Sequence, residues 1–203
     1  MPLENESKES QLLKIAEEIE ACALCREGKI GLPVAGEGSA QAEIAFIGEA
    51  PGKEEAKVGR PFIGRSGKFL RAMIREIGLE EKEVFITSPV KYLPSRGTPT
   101  KADIAHGRTH LFQQLAVVDP KIVVLLGNVA SFAVLGLVGA VSQEHGKVIK
   151  KEGRAYLITF HPAAAMRFPK LRKEFVNDFK RLKLLMKKEG LAQASDGRAM
   201  DLP

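Results

Sequence analysis

The chain has 203 residues, 44% of them hydrophobic and 28% charged, which is enough to bury the core of one α/β domain and excludes compositional disorder. Lysine and arginine number 31 against 25 aspartates and glutamates, and the net charge of +6 excludes an acidic solvating protein and favours a polyanionic partner. No apolar run reaches the roughly 18 residues of a membrane span, the first residues are acidic where a signal peptide is basic, and two cysteines exclude a disulfide scaffold and favour a reducing, cytoplasmic setting.

The first half of the chain predicts strands and helices in alternation. The short apolar run at 42–48 contains β-branched and aromatic residues, which is typical of a buried strand. Apolar residues recur at helical spacing before and after it. In chain order we predict a helix at 10–21, the strand at 42–48, a loop rich in glycine and proline at 49–65, a helix from 66 to 77, a strand at 84–87 and a helix at 102–118.

The second half continues the alternation, with a strand at 121–126, a helix from 128 to 135, strands at 148–150 and 155–159, a loop from His161 and a basic helix at 170–188. Alternating strands and helices imply right-handed crossovers. We therefore predict a three-layer α/β/α sandwich with a central, mainly parallel four-stranded sheet. A single domain is predicted at 1–189 and a polar tail at 190–203.

The positive charge is concentrated near the C-terminus. Residues 147–188 contain thirteen lysines and arginines but three carboxylates, whereas residues 1–21 contain six carboxylates and two lysines. This split predicts a basic face, although a solvated helix surface explains the same charges.

The loop after the first strand reads G-E-A-P-G-K-E-E-A-K-V-G-R-P-F-I-G-R-S-G and runs from Gly48 to Gly67. Its glycines let backbone N–H groups approach a ligand, and Ser66 opens a helix whose N-terminus can hold a phosphate. It is neither a Walker loop nor a dinucleotide fingerprint. Phe62 either stacks on a base or covers the core.

The loop after the last strand reads T-F-H-P-A-A-A-M-R-F-P. His161 is suited to donate a hydrogen bond to a developing oxyanion, or else it has a structural or capping role. Met166 and Arg167 at the predicted loop tip are either an apolar wedge beside a phosphate ligand or a core methionine beside a solvated arginine. Because the carboxyl ends of parallel strands form one edge, we expect the Gly48 loop, the Ser88 turn and the His161 loop to meet there.

These two loops resemble the uracil-DNA glycosylase superfamily, most closely its family 4 of archaea and bacteria. The similarity rests on G-E-A-P-G-x-x-E, G-R-P-F-I-G-R-S-G, H-P-A-A-A-M-R and the intervening P-K-I-V-V-L-L-G-N-V-A, and it covers residues 15–188. It implies a monomeric, monofunctional DNA repair enzyme of the prokaryotic nucleoid, acting on DNA that contains deaminated bases. Such an enzyme flips the base, chiefly uracil, out of the DNA and hydrolyses its N-glycosidic bond.

The resemblance also implies catalytic roles. Glu49 and Ala50 match strand-end positions that face the base and the attacking water, and Ala50 stands where other families of the superfamily carry an aspartate. Glu55 matches a carboxylate that helps to place the water. Phe62 matches the ring that stacks on the flipped base, and His161 matches the donor to the uracil oxygen that gains charge.

The resemblance implies binding roles as well. Gly48 and Ser88 match positions that bind the base. The predicted DNA contacts are Ser66, Met166, Arg167 and Lys170.

Two polar positions depart from the family pattern. Ser88 stands where the family carries an asparagine that reads the uracil edge, and Ala56 replaces a common aspartate. Because a hydroxyl is shorter and less directional than an amide, we expect a base range widened to hypoxanthine or xanthine. The alternative is a weakly active or non-catalytic paralogue that binds DNA or deaminated bases.

The metal ligands are the third departure. Family 4 members hold a four-iron four-sulfur cluster with four cysteines. Here Cys22 and Cys25 stand at the expected places, while Tyr92 and His106-Gly107 replace the other ligands. Two thiolates cannot hold the usual cubane, so we predict no cofactor and a region packed by Tyr92 and its neighbours. An iron-sulfur cluster with His106 as a substitute ligand and a two-cysteine zinc remnant are the alternatives.

Overall fold

The computed structural model describes residues 6–139 and 141–191. The predicted polar tail lies outside the described residues from residue 192 onward. Among the described helices, none combines the length and the apolar character needed to cross a membrane. The helices are α1 (Lys8–Ala21), α2 (Ala23–Arg26), α3 (Lys53–Val58), α4 (Arg65–Glu76), α5 (Lys101–Val118), α6 (Asn128–Leu135), α7 (Val141–Glu144), α8 (Pro162–Arg167) and α9 (Pro169–Lys188), with a short 3-10 turn at Glu81–Glu83.

The strands form a main sheet of six and a separate pair. They are β1 (Lys29–Ile30), β2 (Glu37–Gly38), β3 (Ile44–Ile47), β4 (Val84–Thr87), β5 (Leu93–Pro94), β6 (Ile122–Leu126), β7 (Val148–Lys151) and β8 (Arg154–Thr159). The main sheet has the order β2-β4-β3-β6-β8-β7, and β1 pairs with β5. The four central strands, β4, β3, β6 and β8, are parallel, which confirms the predicted fold class.

The sheet is wider than the predicted four strands because an antiparallel strand is added at each edge. The β7 strand turns directly into β8 through Glu152 and Gly153, both with positive φ. A two-residue turn of this kind matches the twist of a hairpin. The strand β7 corresponds to the one predicted at 148–150, whereas β2 was not predicted. An antiparallel edge strand needs no crossover helix, so the alternation of strands and helices does not reveal β2.

The central strands are buried on both faces, as their continuous apolar sequences predict. One group of helices, α4, α8 and α9, packs together, and a second group contains α1, α5 and α6. Phe46 of β3 stacks on Phe179 of the basic helix α9, with ring centroids 6.1 Å apart. The apolar face of α9 is therefore buried in the core, while most of its lysines and arginines remain at the surface.

The carboxyl ends of the parallel strands are held side by side. The Gly48 N–H donates to the Thr87 carbonyl over 2.8 Å, and the Gly127 N–H donates to the Thr159 carbonyl over 2.9 Å. The segments that follow β3, β4 and β8 consequently begin at one edge of the sheet.

Candidate active site

A cavity lies at this edge of the sheet. The space inside it is about 460 Å³, a figure that includes open solvent. The segments that follow β3, β4 and β8 all contribute to its wall, as the strand ends predict, and Val34 contributes from the segment before β2. Six residues singled out from the sequence line it: Ala50, Glu55, Phe62, Ser66, Ser88 and His161.

His161 is held in a single orientation by the start of α8. It is the N-cap of this helix, and its Nδ1 accepts a hydrogen bond from the Ala163 N–H over 3.2 Å. Burial lowers the pKa of His161 to about 4, although the nearby Glu55 carboxylate opposes this shift. The ring is therefore neutral at pH 7 with its proton on Nε2, and His161 is one of the residues that line the cavity.

Phe62 stands beside His161, with ring centroids 6.1 Å apart. Its φ of +52° is in the left-handed region, which a residue with a bulky side chain rarely adopts. A Cβ on Gly48 would lie 2.6 Å from the Phe62 ring, and a Cβ on Gly67 would lie 2.0 Å from the Phe62 backbone carbon. Because Phe62 approaches so closely, a glycine is required at positions 48 and 67.

Glu55 holds the loop that carries Phe62. Its Oε1 accepts hydrogen bonds from the N–H groups of Ile63 at 2.9 Å and Gly64 at 2.8 Å. A Cβ on Gly52 would lie 2.6 Å from Oε2, so this oxygen faces that turn. The carboxylate is buried, and it both lines the cavity and anchors the loop.

Arg71, which was not predicted from the sequence, holds the same loop through its backbone carbonyls. Its guanidinium donates to the carbonyls of Pro61 at 2.8 Å and Phe62 at 3.0 Å, and it pairs with Glu37 and Glu81. The residue is buried on α4, at a helical position where the sequence pattern would place an apolar side chain. An arginine within the otherwise apolar stripe of this helix is the sequence signal that could have identified Arg71 as a functional residue.

Ser88 is buried in the cavity wall, and its hydroxyl donates to the Val90 carbonyl over 2.8 Å. The hydroxyl proton is thus committed, and Oγ presents only lone pairs to a ligand.

Lys91, three residues after Ser88, was also not predicted as a functional residue. This fully buried amine donates to Thr87 Oγ1 and Gln114 Oε1, each over 2.7 Å, and to the Ala35 carbonyl over 3.1 Å. Burial lowers its pKa to about 7. These contacts link β4 and α5 to Ala35, which is the residue after Val34 of the cavity wall.

Glu49 and Gly48 are placed differently from Ala50. Ala50 contributes to the cavity wall, whereas neither of the two preceding residues is among those that line it. Gly48 instead lies under the Phe62 ring. Glu49 is half-buried, and burial raises the pKa of its carboxyl.

An open groove continues from the cavity, sharing Glu55 and Ser66 with it. The groove is also lined by Met166 and Arg167, by the cationic residues Lys53 and Arg65, and by Glu54. The prediction that Met166 and Arg167 lie at a loop tip is wrong, because both residues lie in the last turn of the short helix α8. Proline at the first helical position and the His161 cap favour a helix here. Lys170 is exposed at the start of α9, outside the groove lining.

A second group of reactive side chains lies outside this cavity. Cys22, Cys25, His106 and His110 each offer one ligand atom, and these atoms all lie within 4.8 Å of one another. We call this group the Cys–His cluster. His110 was not predicted as a ligand from the sequence, although it lies one helical turn after His106 on α5. Gly107 is not part of the group, because it packs where a Cβ would lie 2.0 Å from the Pro89 carbonyl oxygen.

The Cys–His cluster does not fit a four-iron four-sulfur cubane, whose ligands are four cysteine thiolates. The chain contains two cysteines. Tyr92 occupies the position of a missing ligand, but its hydroxyl donates to the Glu20 carbonyl over 3.4 Å, and its ring packs with Ile15, Ile19 and Cys25. Tyr92 therefore packs beside Cys25 without being a ligand, and the Cys–His cluster remains compatible with a bound metal.

Comparison with known proteins agrees with the geometry. A sequence profile of the Uracil DNA glycosylase superfamily matches residues 35–183. A protein of Sulfurisphaera tokodaii named Type-4 uracil-DNA glycosylase is 38% identical over 188 residues, covering 86% of this chain and 84% of the relative. Proteins of the same name from Archaeoglobus fulgidus and Thermotoga maritima are 35% and 34% identical, cover 83% and 91% of this chain, and are matched over 89% and 99% of their own length. The chain therefore belongs to the uracil DNA glycosylase superfamily.

Proposed function

We propose that this protein is a monofunctional DNA glycosylase that flips a deaminated base, chiefly uracil, out of DNA and hydrolyses its N-glycosidic bond. The observation that carries the proposal is the His161 imidazole, which lines the cavity beside the Phe62 ring while its Nδ1 accepts from the Ala163 N–H, so that Nε2 is the ring nitrogen left to donate. The relatives named Type-4 uracil-DNA glycosylase support the choice of uracil. We further propose that residues 1–189 act as one monomeric, cytoplasmic domain associated with the nucleoid.

The leaving base is stabilised by His161. As the bond between the sugar C1′ and the base nitrogen breaks, its electron pair passes to the base and negative charge develops on the base oxygen. The Nε2–H of His161 donates to this oxygen. A neutral donor is sufficient because the developing charge lies in a partly dry cavity, where a fixed N–H is worth more than in water.

The attacking water is oriented by the Glu55 carboxylate. Its Oε1 is committed to two backbone N–H groups, while Oε2 faces the Gly52 turn in the cavity wall. The negative charge of the Glu55 carboxylate also stabilises the positive charge that develops on the sugar. The water oxygen bonds to C1′, and the proton that the water releases neutralises the base anion. Water supplies both the nucleophile at C1′ and the proton for the base, so the scheme requires no covalent lysine intermediate and no lyase activity.

Base selection depends on Ser88. Since its hydroxyl proton is donated to Val90, Oγ can accept from an N–H on the base edge but cannot donate to a base carbonyl. Uracil, hypoxanthine and xanthine each present such an N–H. We propose that Ser88 accepts this hydrogen and therefore tolerates all three bases, with uracil preferred by size.

The groove beside the cavity holds the DNA strand. Lys53, Arg65 and Arg167 supply cationic groups for phosphates, and Met166, with 36% of its surface exposed, supplies an apolar side chain that can fill the space left by the flipped base. Ser66 is in the first turn of α4, where backbone N–H groups favour a phosphate. The exposed basic face of α9 adds affinity that does not depend on sequence.

The test uses duplexes that each carry one uracil, hypoxanthine or xanthine and measures strand cleavage after alkali. We expect cleavage at uracil by the native protein and its loss in His161→Ala, with binding to a duplex containing an abasic-site analogue retained in both. Retained binding with no cleavage at any base would instead identify a non-catalytic paralogue. Cleavage without alkali would contradict the monofunctional scheme.

A further inference from the structure

The Cys–His cluster combines the ligand types and spacings of a structural zinc site. We propose that Cys22, Cys25, His106 and His110 bind a single Zn²⁺ ion. The two cysteines are separated by two residues and the two histidines by three, which are the spacings of Cys2His2 zinc sites. Tertiary structure brings the two pairs together, because α1 and α2 both pack against α5.

Local structure directs each pair toward the same point. Cys22 is the N-cap of α2, and its Sγ accepts a hydrogen bond from the Cys25 N–H over 3.4 Å. This turn places both sulfur atoms on one side of the chain. His106 and His110 are four residues apart on α5 and therefore share one helix face, with ring centroids 5.9 Å apart.

The distances within the cluster favour one ion over a multi-iron centre. Cys22 Sγ and His106 Nε2 are 3.1 Å apart, and all four ligand atoms lie within 4.8 Å of one another. Zinc bonds of about 2.3 Å to sulfur and about 2.0 Å to nitrogen place the corners of a tetrahedron about 3.3 to 3.8 Å apart. In a Rieske-type two-iron centre the two cysteines bind one iron and the two histidines the other. Such a centre would hold sulfur and imidazole well apart, whereas here they are in contact.

The surroundings complete the site. His110 Nδ1 lies 3.1 Å from Gln113 Oε1, which accepts its proton and leaves Nε2 free for the metal. Gln113 in turn donates to Glu18 of α1 over 3.4 Å. With four protein ligands the coordination shell is closed, which is the property of structural rather than catalytic zinc. None of the four ligands lines the active-site cavity.

The metal content of the untagged, full-length protein is the first test, since a polyhistidine tag would itself bind metal. We expect equimolar zinc and no iron. After denaturation, removal of zinc and refolding with Co²⁺, we expect the intense visible bands of tetrahedral cobalt with thiolate ligands. Equimolar iron with inorganic sulfide would overturn the proposal. So would a folded native protein that holds neither zinc nor cobalt after incubation with an excess of either ion.

Variants assign the ligands. Cys25→Ser and His110→Ala should each lose stoichiometric zinc, while Tyr92→Phe, which alters a neighbour that is not a ligand, should retain it. Gln113→Ala should keep the zinc but release it to a chelator about 10 to 100 times more readily. If a ligand variant fails to fold, cobalt titration of the refolded native protein decides the question, because the number of thiolates can be read from its charge-transfer intensity. Full zinc retention by both ligand variants would overturn the assignment.

Discussion

The active-site cavity and the Cys–His cluster are assembled in different ways by the same chain. The cavity is built from segments that follow strands of one sheet, and its loops are held by protein groups such as Glu55 and Arg71. The Cys–His cluster joins the short helix α2 to the long helix α5, outside the main sheet. The cavity is thus organised by protein groups before a ligand binds, whereas the Cys–His cluster would be completed by the proposed zinc.

This difference has an energetic consequence. Removing one side chain from the cavity should change the chemistry and leave the fold intact. Removing the proposed zinc should release α2 from α5 and lower the stability, since metal binding then contributes directly to folding. Stability and glycosylase rate should therefore respond separately to changes in the two regions.

The largest expected effect is on stability. Removal of zinc, or Cys25→Ser, should lower the free energy of unfolding by about 4 kcal/mol or more, because a metal that binds only the folded state adds its binding energy to folding. Denaturant unfolding with and without chelator measures this. The rate of uracil release per folded molecule should stay within about threefold of the native value, since α5 is also held by its packing on the core. A larger loss of rate would mean that the two regions are coupled through α5.

The second effect concerns the chemistry alone. His161→Ala should slow single-turnover release of uracil by about 100- to 1,000-fold, because it removes the donor to the developing anion. The thermal unfolding midpoint should remain close to the native value. A rate within tenfold of native would remove His161 from the mechanism.

The two roles of Glu55 can be separated by a pair of variants. Glu55→Gln retains an oxygen that can accept from Ile63 and Gly64, but it loses the charge that faces the sugar. We expect about a tenfold loss of rate for Glu55→Gln and about a hundredfold loss for Glu55→Ala, measured under single-turnover conditions. Equal losses would show that the charge, and not the loop anchor, is what matters.

A smaller effect is expected on base choice. Ser88→Asn restores an amide with both a donor and an acceptor, and it should raise the ratio of uracil to hypoxanthine release by about tenfold. Competition between the two duplexes in one reaction measures this ratio directly. An unchanged ratio would show that Ser88 does not select the base.

The smallest expected change is in the pH profile. Because burial lowers the pKa of His161 from 6.5 to about 4, its neutral donor form persists as the pH falls through 6.5. The single-turnover rate should show no acid limb from this residue until the pH approaches 4. The lowered pKa of His161 also affects the free energy of unfolding. Its stabilising contribution is complete above pH 6.5 and is lost progressively as the pH falls from 6.5 to 4, because the unfolded chain binds the proton first. An acid limb near pH 6.5 that disappears in His161→Ala would contradict the assignment.

Much of the cavity could be predicted because it follows from topology. The Gly48 loop, the Ser88 turn and the His161 loop each follow a buried strand, and parallel strands end at one edge. Arg71 and Lys91 could not be predicted in the same way. Each is a charged residue buried by contacts with segments distant in sequence, and periodicity describes only which face of an element is apolar.

Sequence patterns were sufficient to predict the fold class, the glycine- and proline-rich loop, and the histidine at the end of the last parallel strand. These features depend on local periodicity, on backbone preferences and on the order of strands and helices. The folded chain was needed to show that His110 joins Cys22, Cys25 and His106, and that the Tyr92 hydroxyl donates to the Glu20 carbonyl. Ligand geometry depends on how two helices rotate and approach each other, and local sequence patterns do not encode a contact such as Cys22–His106, between positions 84 residues apart.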